Sequence, residues 1–87
     1  MLKIKDNVDL KELESFGFKY TGNYNRGDRW EREMYIIVNG KDLGGIIVTE
    51  YRKVGFIHPY IKGIEYPEIE PYVEDLIQAG LVEKVEK

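Results

Sequence analysis

Apolar and polar residues alternate most regularly between Trp30 and Tyr51. Trp30, Met34, Ile36 and Val38 fall on one parity, and Glu31, Glu33, Tyr35 and Ile37 on the other. A second β-branched run, Ile46-Ile47-Val48-Thr49, follows the dipeptide Asn39-Gly40. Strict alternation marks half-buried strands, and Asn-Gly supplies the two positive φ values of a type I′ turn whose twist matches them. The pattern predicts a hairpin with strands over about residues 29–38 and 43–51. One face of the first strand is apolar except for Arg32. Gly44-Gly45 marks a bulge or a close backbone approach.

The flanking segments carry helix signals. Asp9 with Glu12 three residues on spells a capping box, and Val8 with Leu13 spells a hydrophobic staple. A short helix therefore starts at Leu10, with Leu10, Leu13 and Phe16 as its apolar face. Gly17-Phe18 follows as a left-handed stop of the Schellman type. From Phe18 the period is two, giving a strand with Phe18, Tyr20 and Tyr24 on one side and Lys19 and Thr21 on the other; Gly27 sits in the loop that follows. Val54 to His58 reads as a fourth strand, stopped by Pro59, which has no N–H to donate. A long apolar-rich connection then reaches a last helix beginning at Pro71, with Val73, Leu76 and Ile77 buried and Gly80-Leu81 repeating the earlier stop. Ile4 and the segment Leu81 to Val85 read as short terminal strands lying side by side. The expected fold is a single α+β domain over 1–87: helix, four-stranded antiparallel β-meander, helix.

Composition narrows the class. The chain has 87 residues, no cysteine, one histidine and a net charge of −3. A domain of this size buries only about 60–65 % of the surface of its unfolded chain, and without disulfides its stability has to come from apolar packing. No apolar run approaches the ~18 residues of a membrane span. The expected location is the cytoplasm, without a membrane partner. The charge is uneven: residues 19–62 are net positive and the remainder after them is strongly acidic. Such polarity steers a charged partner or serves solubility alone.

Catalytic chemistry finds few residues to use. There is no cysteine; Ser15 lies on a helix, and Thr21 and Thr49 lie on strands, with no activating base beside them. His58 between Ile57 and Pro59 reads more readily as a hydrogen-bonded strand terminus than as a base. Glu31, Glu33 and Glu50 converge on one sheet face only if the hairpin aligns them, and carboxylates there serve solubility first. Gly40 and Gly44-Gly45 do not open a helix after a strand, so no phosphate-binding loop is present. The expectation is a non-enzyme with no catalytic residues, metal or cofactor.

Binding has better material. Tyrosine, tryptophan and arginine are enriched at protein–protein hot spots, and mixed charge is tolerated there. The candidates for a protein partner are Glu31, Glu33, Tyr35 and Tyr51 on the second face of the hairpin, and Glu70, Glu74 and Asp75 on the acidic last helix. The alternative is single-stranded nucleic acid, held by stacking beside cations. Its candidates are Arg26, Arg29, Trp30, Arg32, Arg52 and Lys53. A third class is a structural homodimer, so both monomer and homodimer remain open. If both helices cover the Trp30 face, the Glu31 face is exposed and becomes the candidate surface; if the helices divide between faces, it does not.

The opening residues 3–13, Lys-Ile-Lys-Asp-Asn-Val-Asp-Leu-Lys-Glu-Leu, with Phe16-Gly17-Phe18 and the Leu81-Val82-Glu83 ending, resemble small proteins encoded by phages and prophages of Gram-positive bacteria. The resemblance implies a stoichiometric factor acting in the host cytoplasm, including the class of host-defence inhibitors to which anti-CRISPR proteins belong. In such a setting Glu68, Glu70, Glu74 and Asp75 stand in for nucleic-acid phosphates.

Overall fold

The computed structural model describes residues 1–22 and 27–85. In chain order it contains β1 (Leu2–Ile4), a 3₁₀ helix (Leu10–Phe16), β2 (Lys19–Tyr20), β3 (Arg29–Glu33), β4 (Ile37–Val38), β5 (Lys41–Asp42), β6 (Gly45–Thr49), β7 (Val54–Phe56), a 3₁₀ turn (Glu70–Tyr72), α1 (Glu74–Gln78) and β8 (Val82–Lys84). This is a small α+β structure with antiparallel sheets. A four-stranded sheet runs β2-β3-β6-β7, and β4-β5 and β1-β8 form two-stranded ribbons. The terminal strands pair with Ile4 opposite Val82. They join the main sheet where Ile4 N donates to Arg52 O at 2.8 Å and Lys3 bridges Lys53.

The first helix is 3₁₀, a period that matches the three-residue spacing of its apolar residues. At three residues per turn Leu10, Leu13 and Phe16 stack on a single line. Asp9 caps it by accepting from Lys11 N at 3.0 Å, while Glu12 N goes to the Asp9 backbone oxygen instead of to its carboxylate. Gly17 closes it with φ 86°, and Phe18 N reaches back to Leu13 O at 3.2 Å. Gly80 and Leu81 repeat this closure on α1, with Leu81 N bonded to Leu76 O at 3.1 Å. Both stops are Schellman closures.

The Asn39-Gly40 turn has φ values of 50° and 76°, as a type I′ hairpin requires. The expected unbroken strand over 29–38 does not form, however. It splits into β3 and β4, because Gly45 with φ 126° brings β6 against β3: a Cβ there would lie 2.2 Å from Arg32 O. The ladder gives out past Glu33, leaving a 3.3 Å bond from Met34 N to Gly44 O, and the tip folds separately as β4-β5. The third and fourth strands are also shorter than expected, spanning Gly45–Thr49 and Val54–Phe56.

All the helical segments pack on one face of the sheet. Leu13, Val73 and Leu76 share a buried cluster with Trp30, Ile46, Val48, Val54 and Phe56, which alternate along β3, β6 and β7. Ile47, on the opposite face, is also buried but stands outside that cluster. A Cβ on Gly55, cross-strand from Ile47, would meet nothing within 4 Å. The helices' buried side chains thus belong to the first face, while Ile47, the Thr49 hydroxyl and Arg29 Nε on the second are themselves shielded from solvent.

Arg32 is the one charge on the covered face, and its side chain is only 16 % exposed. Nη1 donates to Phe16 O at 3.0 Å and to Asp75 Oδ2 at 2.6 Å; Nη2 donates to Tyr72 O at 2.8 Å and to Asp75 Oδ1 at 3.3 Å. Its guanidinium lies 4.7 Å from the Phe18 ring centroid, a cation–π distance. Burial pushes the Asp75 carboxyl up, but the bond and charge of Arg32, helped by the Leu76 N–H, outweigh it and hold the group below its ordinary 3.8.

Gly45→Ala should lower stability by about 3 kcal/mol or more, since the new methyl meets backbone on a strained φ; denaturant midpoints with an unchanged slope would show it. Arg32→Met, which strands two helix-end carbonyls and the Asp75 carboxylate, should cost about 2–4 kcal/mol. The Asp75 contribution has a defined pH sign. A carboxyl lowered on folding stabilises fully above its unfolded value and loses that effect as pH falls through the native one. An acid melt should thus show part of the stability lost below 3.8 in the parent, and a smaller loss there in Asp75→Asn.

Candidate functional site

Two of the arginines expected to face nucleic acid, Arg32 and Arg52, are engaged within the fold. Arg32 binds the helix ends as above. Arg52, held at φ 69° in the β6–β7 turn, donates from Nη1 to Lys5 O at 2.9 Å and to Val8 O at 2.6 Å. Both bonds close backbone carbonyls of the segment before the first helix. Trp30 is 6 % exposed, packed edge-on against Tyr20 at 5.2 Å, so its ring face is not offered for stacking. Arg29 is half-buried and Lys53 is exposed. Arg26 and Tyr24 lie outside the described residues.

The residues expected to face a protein divide between sites. Glu31 and Glu33 lie on the second face of β3, and Tyr35 follows them, 88 % exposed, in the break between β3 and β4. Tyr51, 75 % exposed, sits in the β6–β7 turn at the other end of the sheet, so one copy of the chain does not bring the two tyrosines together. Glu50 is in that same turn, against Gly27, and does not converge with Glu31 and Glu33. On the last helix Asp75 is committed to Arg32, and Glu74 accepts from Gln78 at 3.0 Å. Glu70 lines a groove of about 470 Å³ between β7 and the 66–70 segment, beside Phe56 and Tyr66. Glu68 lines the same groove.

The Tyr35 end holds more than the sequence pointed to. A groove of about 560 Å³ there is lined by Glu31, Glu33, Asp42, Tyr35, His58 and neighbouring apolar atoms, with no lysine or arginine in its wall. Asp42 accepts from Gly44 N at 2.8 Å, and the His58 ring lies against Gly44, where a Cβ would sit 2.9 Å from its Cδ2. The β4-β5 ribbon and the loop after β7 close this end: Lys41 Nζ reaches Lys62 O at 3.4 Å, and Tyr66 Oη donates to His58 O at 2.8 Å. Ile37 and Tyr60, 48 % and 92 % exposed, ride on these elements. Asp42, Ile37 and Tyr60 were not singled out by sequence reasoning. Ile37 stood on the exposed parity of its strand, which was the available signal.

A second groove, about 610 Å³, lies between the first helix and β2-β3, with Leu10, Glu14, Tyr20, Asp28, Trp30 and Arg52 among its walls. Tyr20 donates to Asp28 at 2.6 Å, and this bond, then desolvation and the carboxylate charge, raises the phenol above its ordinary 10.0. Among the described residues no set of three or more His, Asp or Glu side chains is placed to hold a metal ion, and no helix is long and apolar enough to cross a membrane.

No family model, no curated protein and no solved structure matches this chain.

Proposed function

We propose that this chain is a non-catalytic protein-binding factor that engages its partner with the end of the sheet carrying Tyr35, Ile37 and Tyr60. The observation that carries this reading is the exposure of those three side chains, at 88 %, 48 % and 92 %, on elements gathered around one groove. Tyrosine offers a large apolar body with a polar tip at small entropic cost, the quality that makes it common at hot spots. Glu31, Glu33 and Asp42 add negative charge beside them, favouring a basic partner surface.

Within this reading, the resemblance of the two chain ends to phage and prophage proteins suggests a stoichiometric inhibitor of a host-defence nuclease, of the anti-CRISPR kind, working in the host cytoplasm. A nuclease surface evolved for phosphates would accept carboxylates in a lysine-free groove. The groove at Glu31, Glu33 and Asp42 supports that role better than the tail, where Asp75 is occupied. Single-stranded nucleic acid ranks second, because Arg32, Arg52 and Trp30 are used internally.

Capture from host lysate should retain one host protein on the parent chain and lose it on Tyr35→Ala with Tyr60→Ala. If the captured protein is a nuclease, cleavage should cease at one inhibitor per enzyme, with the double variant requiring at least ~10-fold more. Inhibition at a small fraction of that ratio would mean turnover and overturn the non-catalytic reading. Affinity for single strands that falls steeply with salt, with no protein captured, would put the second reading first.

A further inference from the structure

Backbone hydrogen bonds alternate sides along β7. Ile57 N donates to Gly45 O at 2.9 Å and Thr49 N to Lys53 O at 3.0 Å, with Gly55 opposite Ile47 between them, so residues 53, 55 and 57 turn their backbone groups toward β6. Arg52, Val54 and Phe56 turn theirs the other way, toward β1. β1 meets only the first two. Ile4 N reaches Arg52 O at 2.8 Å, and with Lys3 opposite Lys53, Leu2 falls opposite Val54 and Met1 opposite Gly55. Phe56 lies one position past Met1. Among the described residues its N–H and C=O have no hydrogen-bond partner, although Phe56 is only 8 % exposed; backbone groups of buried residues are nearly always paired.

This edge opens on the groove of about 470 Å³ between β7 and the 66–70 segment, lined by Met1, Leu2 and Lys84 on the β1 side and by Tyr66, Glu68 and Glu70 on the other. Charge is divided the same way. The Met1 ammonium, which donates to Val85 O at 3.2 Å, and Lys84 are cations, and the opposite wall carries two carboxylates.

We propose that this groove binds the C-terminal end of a partner protein as an added strand, with its free carboxylate beside Met1 and Lys84 and a basic side chain upstream beside Glu68 and Glu70. The terminal residue lies opposite Phe56 and antiparallel to β7; its N–H donates to Phe56 O, and its carboxylate accepts from Phe56 N. That direction is β1's own, so the carboxylate points at Met1. Strand addition supplies the main-chain bonds, and capture of the chain end supplies charge-assisted ones. Residues directly opposite each other share a sheet face, so the terminal side chain stands on the face of Phe56 and Leu2 and is apolar. The surface shares no wall residue with the groove at Tyr35 and stands apart from the partner proposed for that end. A slot this short gives low affinity, with Kd on the order of 100 µM to 1 mM.

The probe is acetyl-Lys-Lys-Val with a free carboxylate, titrated into the 87-residue chain and followed by amide NMR. The Phe56 amide should shift most and exchange more slowly with solvent. The same peptide with an amidated end should bind at least ~10-fold more weakly. Joining Gly-Ser ahead of Met1 carries the chain into the position opposite Phe56 and should also weaken binding at least ~10-fold; Met1 is 55 % exposed, so the extension leaves the core untouched. Glu68→Lys with Glu70→Lys should invert the preference between acetyl-Lys-Lys-Val and acetyl-Glu-Glu-Val. No binding at ~5 mM peptide, acid and amide binding alike, shifts that leave out Phe56, or indifference to the extension would each overturn the proposal. So would a Phe56 shift on dilution without peptide, which would put a second copy in the slot. Tyr35→Ala with Tyr60→Ala should leave peptide binding unchanged, so the two sites fail separately.

Discussion

A single guanidinium joins the parts of this molecule. Arg32 projects from β3 into a layer otherwise made of apolar side chains, where an unpaired charge would cost several kcal/mol. It is tolerated because both of its terminal nitrogens reach acceptors: the carbonyl at the end of the first helix, the carbonyl of Tyr72 just before α1, and the Asp75 carboxylate. Helix ends leave carbonyls without intrahelical donors, and burying them unmet is unfavourable. Arg32 satisfies these groups from the sheet, tying the N-terminal and C-terminal helical segments to one strand. Neither segment is long enough to be stable alone, so the clamp and the apolar cluster around it stabilise both together.

Arg52 repeats the device on a smaller scale. From a turn at the far end of the sheet it closes Lys5 O and Val8 O, holding the approach to the first helix. The consequence is electrostatic. Two of the cations that make the middle of the chain look basic are turned inward. Function, on the readings proposed here, follows from what the fold leaves outside.

The break between β3 and β4 links the backbone to the candidate site. Gly45 allows an approach to Arg32 O that no side chain would permit, and past that point the ladder gives out. Tyr35 falls in the gap. Released from cross-strand pairing, it stands almost fully exposed above the groove that Glu31, Glu33 and Asp42 share with His58. A continuous strand through residue 38 would have placed Tyr35 in the sheet, paired across to the chain before β6.

The local features of the structure were legible in the residues. Asp9, the Gly17-Phe18 and Gly80-Leu81 stops and the Asn39-Gly40 turn act within a few positions, so their chemistry is complete in the sequence. Alternation likewise separated Trp30 and Ile36, which are buried, from Tyr35 and Ile37, which are not. The unusual Arg32 was visible as an exception to its face, but its role was not, since its partners lie 16, 40 and 43 residues away. The same distance hid the engagement of Arg52 with Lys5 and Val8, the separation of Tyr35 from Tyr51, and the gathering of Asp42 and His58 beside Tyr35. Periodicity says that a strand has two faces; only the packing of Leu13, Val73 and Leu76 decided which face the helices would cover.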